Sequence, residues 1–204
     1  MDRLIALDKH LLIFLNGLGS ETFDPFWKII TNQFYWAPII LFVLYLIQRK
    51  IGWKNLGIMV LFIALLITFV DQTTNVVKAY FQRARPCSDP EIKDMIRIVM
   101  ERSSYGFFSG HASGSMANAT FVFLILRRFY KHAYLCFIFP LLFAYSRIYL
   151  GVHFPADILV GYAYGALSGY AFYRLYCYLG KKYNFGNRKS ESGQEQEQEK
   201  SVSL

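Results

Sequence analysis

Charge is scarce in this chain: 18% of its 204 residues are Asp, Glu, Lys or Arg, against the roughly 25% usual for a soluble domain. Beside a 54% hydrophobic content, that scarcity points away from a soluble globule and towards a bilayer. Cysteine is short as well. Cys87, Cys136 and Cys177 show no paired spacing, which excludes a disulfide frame or a zinc knuckle. No set of carboxylates, His or Cys has metal-ligand spacing, so neither a metal nor a cofactor is expected. The start, MDRLIALDKH, is not a basic leader followed by a cleavage site, which argues against a signal peptide. The net charge of +8 comes from short basic segments between apolar runs, not from a basic patch with interleaved aromatics. Nucleic acid is therefore not an expected partner, and nothing calls for an obligate protein partner.

What is plentiful is apolar sequence in long runs. The stretches 29–47, 56–77, 107–126, 133–150 and 155–179 each approach the ~20 residues that a bilayer core demands. Ahead of them, 4–18 has apolar residues at helical spacing interrupted by Asp8, Lys9 and His10, which predicts an amphipathic helix lying in the interface. The expected fold is all-α: a polytopic membrane helix bundle of about five transmembrane helices plus that interfacial helix. Three regions follow: an N-terminal interfacial segment over 1–28, a transmembrane domain over 29–180, and a basic then polar tail over 181–204. The tail, ending SESGQEQEQEKSVSL, has the composition of a disordered segment. Arg49, Lys50 and Lys54 in one loop, and Arg127, Arg128 and Lys131 in another, come without acids. The positive-inside rule then puts the C-terminus in the cytoplasm and the N-terminus outside.

This topology carries 78–106 and 147–154 to the outer face, and three polar clusters go with them. Lys78 and Arg85 are two helical turns apart, with Pro86 halting the helix. Ser109 is a suitable N-cap for the third span, which would leave the N–H groups of Gly110 and His111 for an anion. Arg147, His153 and Asp157 fall close together, and a four-residue spacing would put His153 and Asp157 on one helix face. Each cluster alone has a plainer explanation. Cations snorkel at a membrane boundary, small residues permit helix packing, and His–Asp pairs are commonly structural. A buried Arg inside a membrane, however, usually has an anionic partner.

Taken together, Lys78-x6-Arg85-Pro86, Phe108-Ser109-Gly110-His111 and Ser146-Arg147-x5-His153-x3-Asp157 resemble the pattern of the type 2 phosphatidic acid phosphatase (PAP2) family. Phe108 departs from it, standing where the family usually has Pro. The resemblance implies a metal-independent phosphatase acting through a phosphohistidine. His153 would be the nucleophile, Asp157 its orienter and His111 the general acid. Lys78, Arg85, Ser109, Gly110 and Arg147 would bind the phosphate. A site at the outer membrane face, reached sideways from the bilayer, implies a membrane lipid phosphate as substrate. The organisation resembles bacterial envelope members in the cytoplasmic (inner) membrane. Lipid A phosphate and undecaprenyl pyrophosphate lead, and phosphatidylglycerol phosphate and phosphatidic acid follow. Lys93, Arg97 and Arg102 could meet a second phosphate, although a solvated helix face is the simpler reading. The rival class is a transporter with an anion-selective vestibule. Two further expectations concern packing. Asp71 should be paired, holding Lys78 or the third span, and Gly161, Gly165 and Gly169 should let a helix pack closely behind His153.

Overall fold

The structure is a computed structural model, and residues 2–185 are described. The tail expected to be disordered, with Arg188 and Lys189, lies outside the described residues. The chain forms α1 (Asp2–Gly17), α2 (Asp24–Ile30), α3 (Ala37–Phe81), α4 (Gly110–Leu126), α5 (Ile138–Tyr149) and α6 (Pro155–Tyr183), joined by short 3-10 turns. No strand occurs among the described residues, so the all-helical expectation holds.

The boundaries of the expected spans need correction. The first does not begin at 29: a short helix, α2, is followed by a turn, and the long helix starts at Ala37, with Pro in its first turn. There the missing N–H of Pro costs nothing. The expected basic loop over 48–55 stays helical, except at Gly52 (φ 78°, ψ 168°). Left-handed backbone of this kind suits glycine, which has no Cβ to clash. A straight helix of 45 residues would be about 68 Å long, twice a bilayer core. At Gly52 the chain instead doubles back. The descending limb passes from Trp36 against Phe139 to Leu46, whose carbonyl accepts from the Tyr130 hydroxyl. The ascending limb climbs α6 through Phe62–Tyr176 and Phe69–Phe172, and Thr74 reaches Ser113 of α4. Among the described residues, Gln33–Ser88 is the stretch long and apolar enough to cross a membrane by length and composition, and Ala133–Tyr149 is a shorter apolar helix.

The closest packing joins α4 to α6. A Cβ on Gly161 would lie 2.9 Å from the Ser109 carbonyl oxygen, and one on Gly165 would collide with the Ser113 carbonyl. One on Gly169 would collide with that of Ala117. The small-residue stripe therefore does what its spacing predicted. It brings the N-terminus of α4 against that of α6, and the Ser109 N–H donates to the Asp157 carbonyl at 3.0 Å. One apolar core, built around Met59, Leu66, Phe121 and Tyr176, fills the end towards Gly52, while Leu12, Ala144, Phe154 and Ile158 fill the other.

The N-terminal helix is more than an interfacial float. Leu4, Leu7, Leu11, Phe14 and Leu18 are exposed along one side, yet Asp8, Leu12 and Asn16 are buried. Asn16 is fully buried, and its amide donates to the carbonyls of Arg97, Ile148 and Tyr149 while accepting the Arg97 N–H.

Gly165→Val should lower the thermal midpoint in detergent, by a cost of about 1–3 kcal/mol from overpacking. Gly57→Ala, where an added Cβ meets nothing within 4 Å, should leave it unchanged or raise it. Equal behaviour of the two variants would show that the α4–α6 contact is not tight.

Candidate active site

His153 is one residue short of helix. The motif spacing suggested a shared helix face with Asp157, but α6 starts at Pro155 with Phe154 as its extended N-cap (φ −73°, ψ 152°). His153 therefore lies in the tight 150–154 loop, where Gly151 adopts φ 75°. Asp157, in the first turn, folds back on this loop. Its Oδ2 accepts the Phe154 N–H at 3.1 Å and lies 3.4 Å from His153 Nδ1. The expected pair is present, made by a helix cap and a loop instead of one helical face.

The other ring nitrogen meets Arg85. Nη1 of Arg85 is 3.0 Å from His153 Nε2 and also donates to the Val152 carbonyl at 3.1 Å. The rest of the guanidinium is fixed by Ser104, through its carbonyl at 2.6 Å and its hydroxyl at 3.0 Å. A guanidinium has donors and no acceptor. Nε2 must therefore accept, with its lone pair free, and the imidazole proton must sit on Nδ1 facing the carboxylate. Burial pushes the His153 pKa well below its ordinary value of 6.5, and the charges of Arg85, Arg147, Lys78 and Arg83 push it the same way. The ring is held neutral, with its basic nitrogen aimed at the cations.

The remaining expected residues converge from three helices. Ser109 caps α4, its hydroxyl oxygen accepting the Ala112 N–H at 3.4 Å. A first helical turn leaves the N–H groups of Gly110 and His111 without an intrahelical acceptor. The Lys78 ammonium would lie 3.6 Å from a Cβ placed on Gly110, which puts it beside that turn. His111 is half-buried and stacks on Phe143, with ring centroids 5.1 Å apart. The charges of Arg147 and Lys78 reach it, as does the His153 ring. Arg147, one helical turn beyond Phe143 on α5, is 2% exposed. Its Nη1 donates to the Thr31 hydroxyl at 2.6 Å, but its Nε is buried with no hydrogen-bond partner. A buried donor of this kind is costly unless something else accepts from it. Phe108, at the position that departs from the motif, packs on Tyr164 of α6 with centroids 5.0 Å apart.

Some residues read otherwise from sequence have different places. Asp71 is exposed and its carboxylate accepts from Asn75 at 3.1 Å; among the described residues no hydrogen bond joins it to Lys78 or to α4, though its charge acts on the Lys78 ammonium. Arg97 Nη2 is occupied by Asp24, both oxygens at 3.1 Å, while its Nη1 is buried with no hydrogen-bond partner. Arg83 was passed over altogether, yet its Nη1 donates to Asp157 Oδ1 at 2.7 Å and its Nη2 to Asp8 Oδ2 at 2.7 Å. Thr31 was likewise unmarked. The only signal for Arg83 was its place inside the first motif, two residues before Arg85.

In the folded protein, His153 should stay neutral at pH values below 6.5, because its charged form is disfavoured there. Nitrogen-15 NMR of histidine-labelled protein checks this, and should report a lone pair on Nε2 and a proton on Nδ1. Titration near 6.5, or the opposite tautomer, would contradict the arrangement.

The chain resembles known proteins along most of its length. A family model, the PAP2 superfamily, matches residues 55–181. A lipid A 4'-phosphatase of Bacteroides thetaiotaomicron is 34% identical over 175 residues, which is 83% of this chain and 77% of that protein. A lipid A 4'-phosphatase of Porphyromonas gingivalis is 30% identical over 182 residues, covering 87% and 76% respectively. The crystal structure of a transmembrane PAP2-type phosphatidylglycerolphosphate phosphatase from Bacillus subtilis superposes with a TM-score of 0.64. It does so over 84% of this chain and 85% of that one, at 20% identity, and so shares the fold. By motif, family match and fold, this chain belongs to the PAP2 superfamily of phosphatases.

Proposed function

We propose that this protein is an integral-membrane lipid phosphatase that removes a phosphate from lipid A through a phosphohistidine at His153. The observation that carries the chemistry is the 3.0 Å contact between Arg85 Nη1 and His153 Nε2. It ties the nucleophilic lone pair to a donor that a phosphoryl oxygen can take over. The relatives named lipid A 4'-phosphatase support lipid A over undecaprenyl pyrophosphate, for which no comparable support exists. They also make the 4' position the first to test.

When the phosphate arrives, its oxygens replace Nε2 as the partner of Arg85 and satisfy the orphaned Arg147 Nε. Lys78 and the Gly110 N–H complete the cradle, with the Ser109 cap holding that turn. Nε2 attacks phosphorus, and the bond to the lipid oxygen breaks. His111 supplies the proton to that oxygen. The ring gains positive charge as it attacks, and the Asp157 carboxylate beside Nδ1 stabilises it. Water then cleaves the phosphorus–nitrogen bond with His111 as base, releasing inorganic phosphate and neutral His153. The reading places the enzyme in a bacterial inner membrane, with the site towards the periplasm and the C-terminus in the cytoplasm. It divides the chain into an interfacial segment, a transmembrane phosphatase domain and a tail, as the sequence suggested.

Purified protein in detergent with excess EDTA should release phosphate from lipid A. His153→Ala should abolish this by about 10³-fold or more, since nothing replaces a lost nucleophile. The acid limb of kcat/KM should lie below pH 6.5, because neutral His153 persists there. Full activity of His153→Ala, or faster release from undecaprenyl pyrophosphate or phosphatidylglycerol phosphate, would overturn the mechanism or the substrate respectively.

A further inference from the structure

We propose that α1 is a splint for the nucleophile loop, with Asp8 and Arg83 as positioning residues that set the orientation of Asp157 and, through it, of His153. This rests on the reading of His153 as nucleophile and goes beyond it, because neither residue touches the phosphate.

Four side chains form an unbroken series: His153, Asp157, Arg83 and Asp8. Arg83 bridges two carboxylates at 2.7 Å each, and its guanidinium lies 4.1 Å over the ring of Phe154, the residue after the nucleophile. The second oxygen of Asp8 accepts the Ala156 N–H at 2.8 Å, so α1 also grips the first turn of α6. Asn16, eight residues further along α1, holds the carbonyls of Ile148 and Tyr149. At 1.5 Å per residue the two grips are about 12 Å apart. One lies on each side of the 150–154 loop. A single helix thus clamps both ends of the segment that presents His153.

Geometry and charge both argue that this matters to the reaction. The terminal torsion of an Asp carboxylate is soft, with broad and roughly two-fold preferences. Arg83 on Oδ1 removes that freedom and leaves Oδ2 for His153 and the Phe154 N–H. Arg83 alone would neutralise Asp157. Asp8 restores a net charge of −1 to the Asp8–Arg83–Asp157 set beside His153, and that charge is needed as the ring becomes cationic during attack. Asp157 is fully buried and Asp8 is 9% exposed, so solvent screens the two carboxylates only weakly, while Arg83 between them is 28% exposed.

The test is single-turnover phosphate release from lipid A with folded enzyme in saturating excess, where the rate constant does not depend on the fraction folded, beside steady-state turnover for KM. Asp8→Asn keeps an acceptor for the Ala156 N–H and removes the charge; Arg83→Ala breaks the series outright. Outer partners that orient metal-ligating His residues are typically worth about 10–100-fold, and orientation of a reacting His is assigned the same scale. The rate constant should therefore fall about 10-fold in Asp8→Asn and towards 100-fold in Arg83→Ala, with KM within about two-fold. Arg83→Lys, which keeps the charge but has no fork, should fall between wild type and Arg83→Ala. If Arg83→Ala does not fold, Asp8→Asn and Arg83→Lys decide. Rate constants within two-fold of wild type, whatever the thermal midpoints do, would overturn the proposal, as would a loss carried by KM alone. His153→Ala run in parallel separates the two levels. If it is active, the nucleophile assignment falls; if it is inactive beside unimpaired Asp8 and Arg83 variants, only the positioning role falls.

Discussion

The Asp157 carboxylate has no exposure to solvent, and much of the site is arranged around keeping it charged. A buried ion without partners costs several kcal/mol. Here the compensation comes from Arg83, the Phe154 N–H and His153 Nδ1. Its own backbone carbonyl takes the Ser109 N–H, which draws the cap of α4 to the same point. One residue therefore joins the start of α6, the start of α4, the end of α3 and the nucleophile loop. The His tautomer, the position of the α4 amides and the entry of α1 into the site all follow from satisfying it.

Around this anion the protein gathers more positive charge than it neutralises. Lys78 on α3, Arg85 in the loop that follows it and Arg147 on α5 are drawn into one region, and Arg147 keeps a buried donor without an acceptor. Packing alone would not select such an arrangement, because like charges and an unmet donor both oppose folding. In the proposed function a dianionic phosphate accepts from them and offsets that cost. The apolar cores at the two ends of the bundle supply the stability against which this local cost is set. The α4–α6 contact then excludes any side chain from the glycine stripe behind the nucleophile.

The bilayer shapes the rest. Leu4, Leu7, Leu11 and Phe14 stay exposed on α1, as expected of a helix meeting lipid. The opposite side of the same helix carries the polar grips on the catalytic loop. The exposed apolar side and the grips on both ends of the 150–154 loop thus belong to one helix. Phe108, the departure from the motif, adds an aromatic to the packing against α6.

The all-helical class, the apolar runs and the three polar clusters were legible in the chain because they are local. Helical period, run length and motif spacing are properties of neighbouring residues. His153, Asp157, Arg85 and Arg147 could be picked out for the same reason, with the family pattern supplying their roles. The reversal between 48 and 55 was legible from its basic residues, but its form was not: helix continues on both sides, and a single glycine with positive φ makes the turn. Asp71 misled because an acid in an apolar run demands a partner, and the nearest one, Asn75, is a local neighbour. What only the tertiary structure decided is how distant residues meet. Asp8 reaches Arg83 across 75 positions and Asn16 reaches Tyr149 across 133. No periodicity encodes such pairs. Asp8 and Arg83 meet because the buried Asp157 carboxylate draws Arg83 to it, and Asn16 meets Tyr149 because a buried amide needs acceptors.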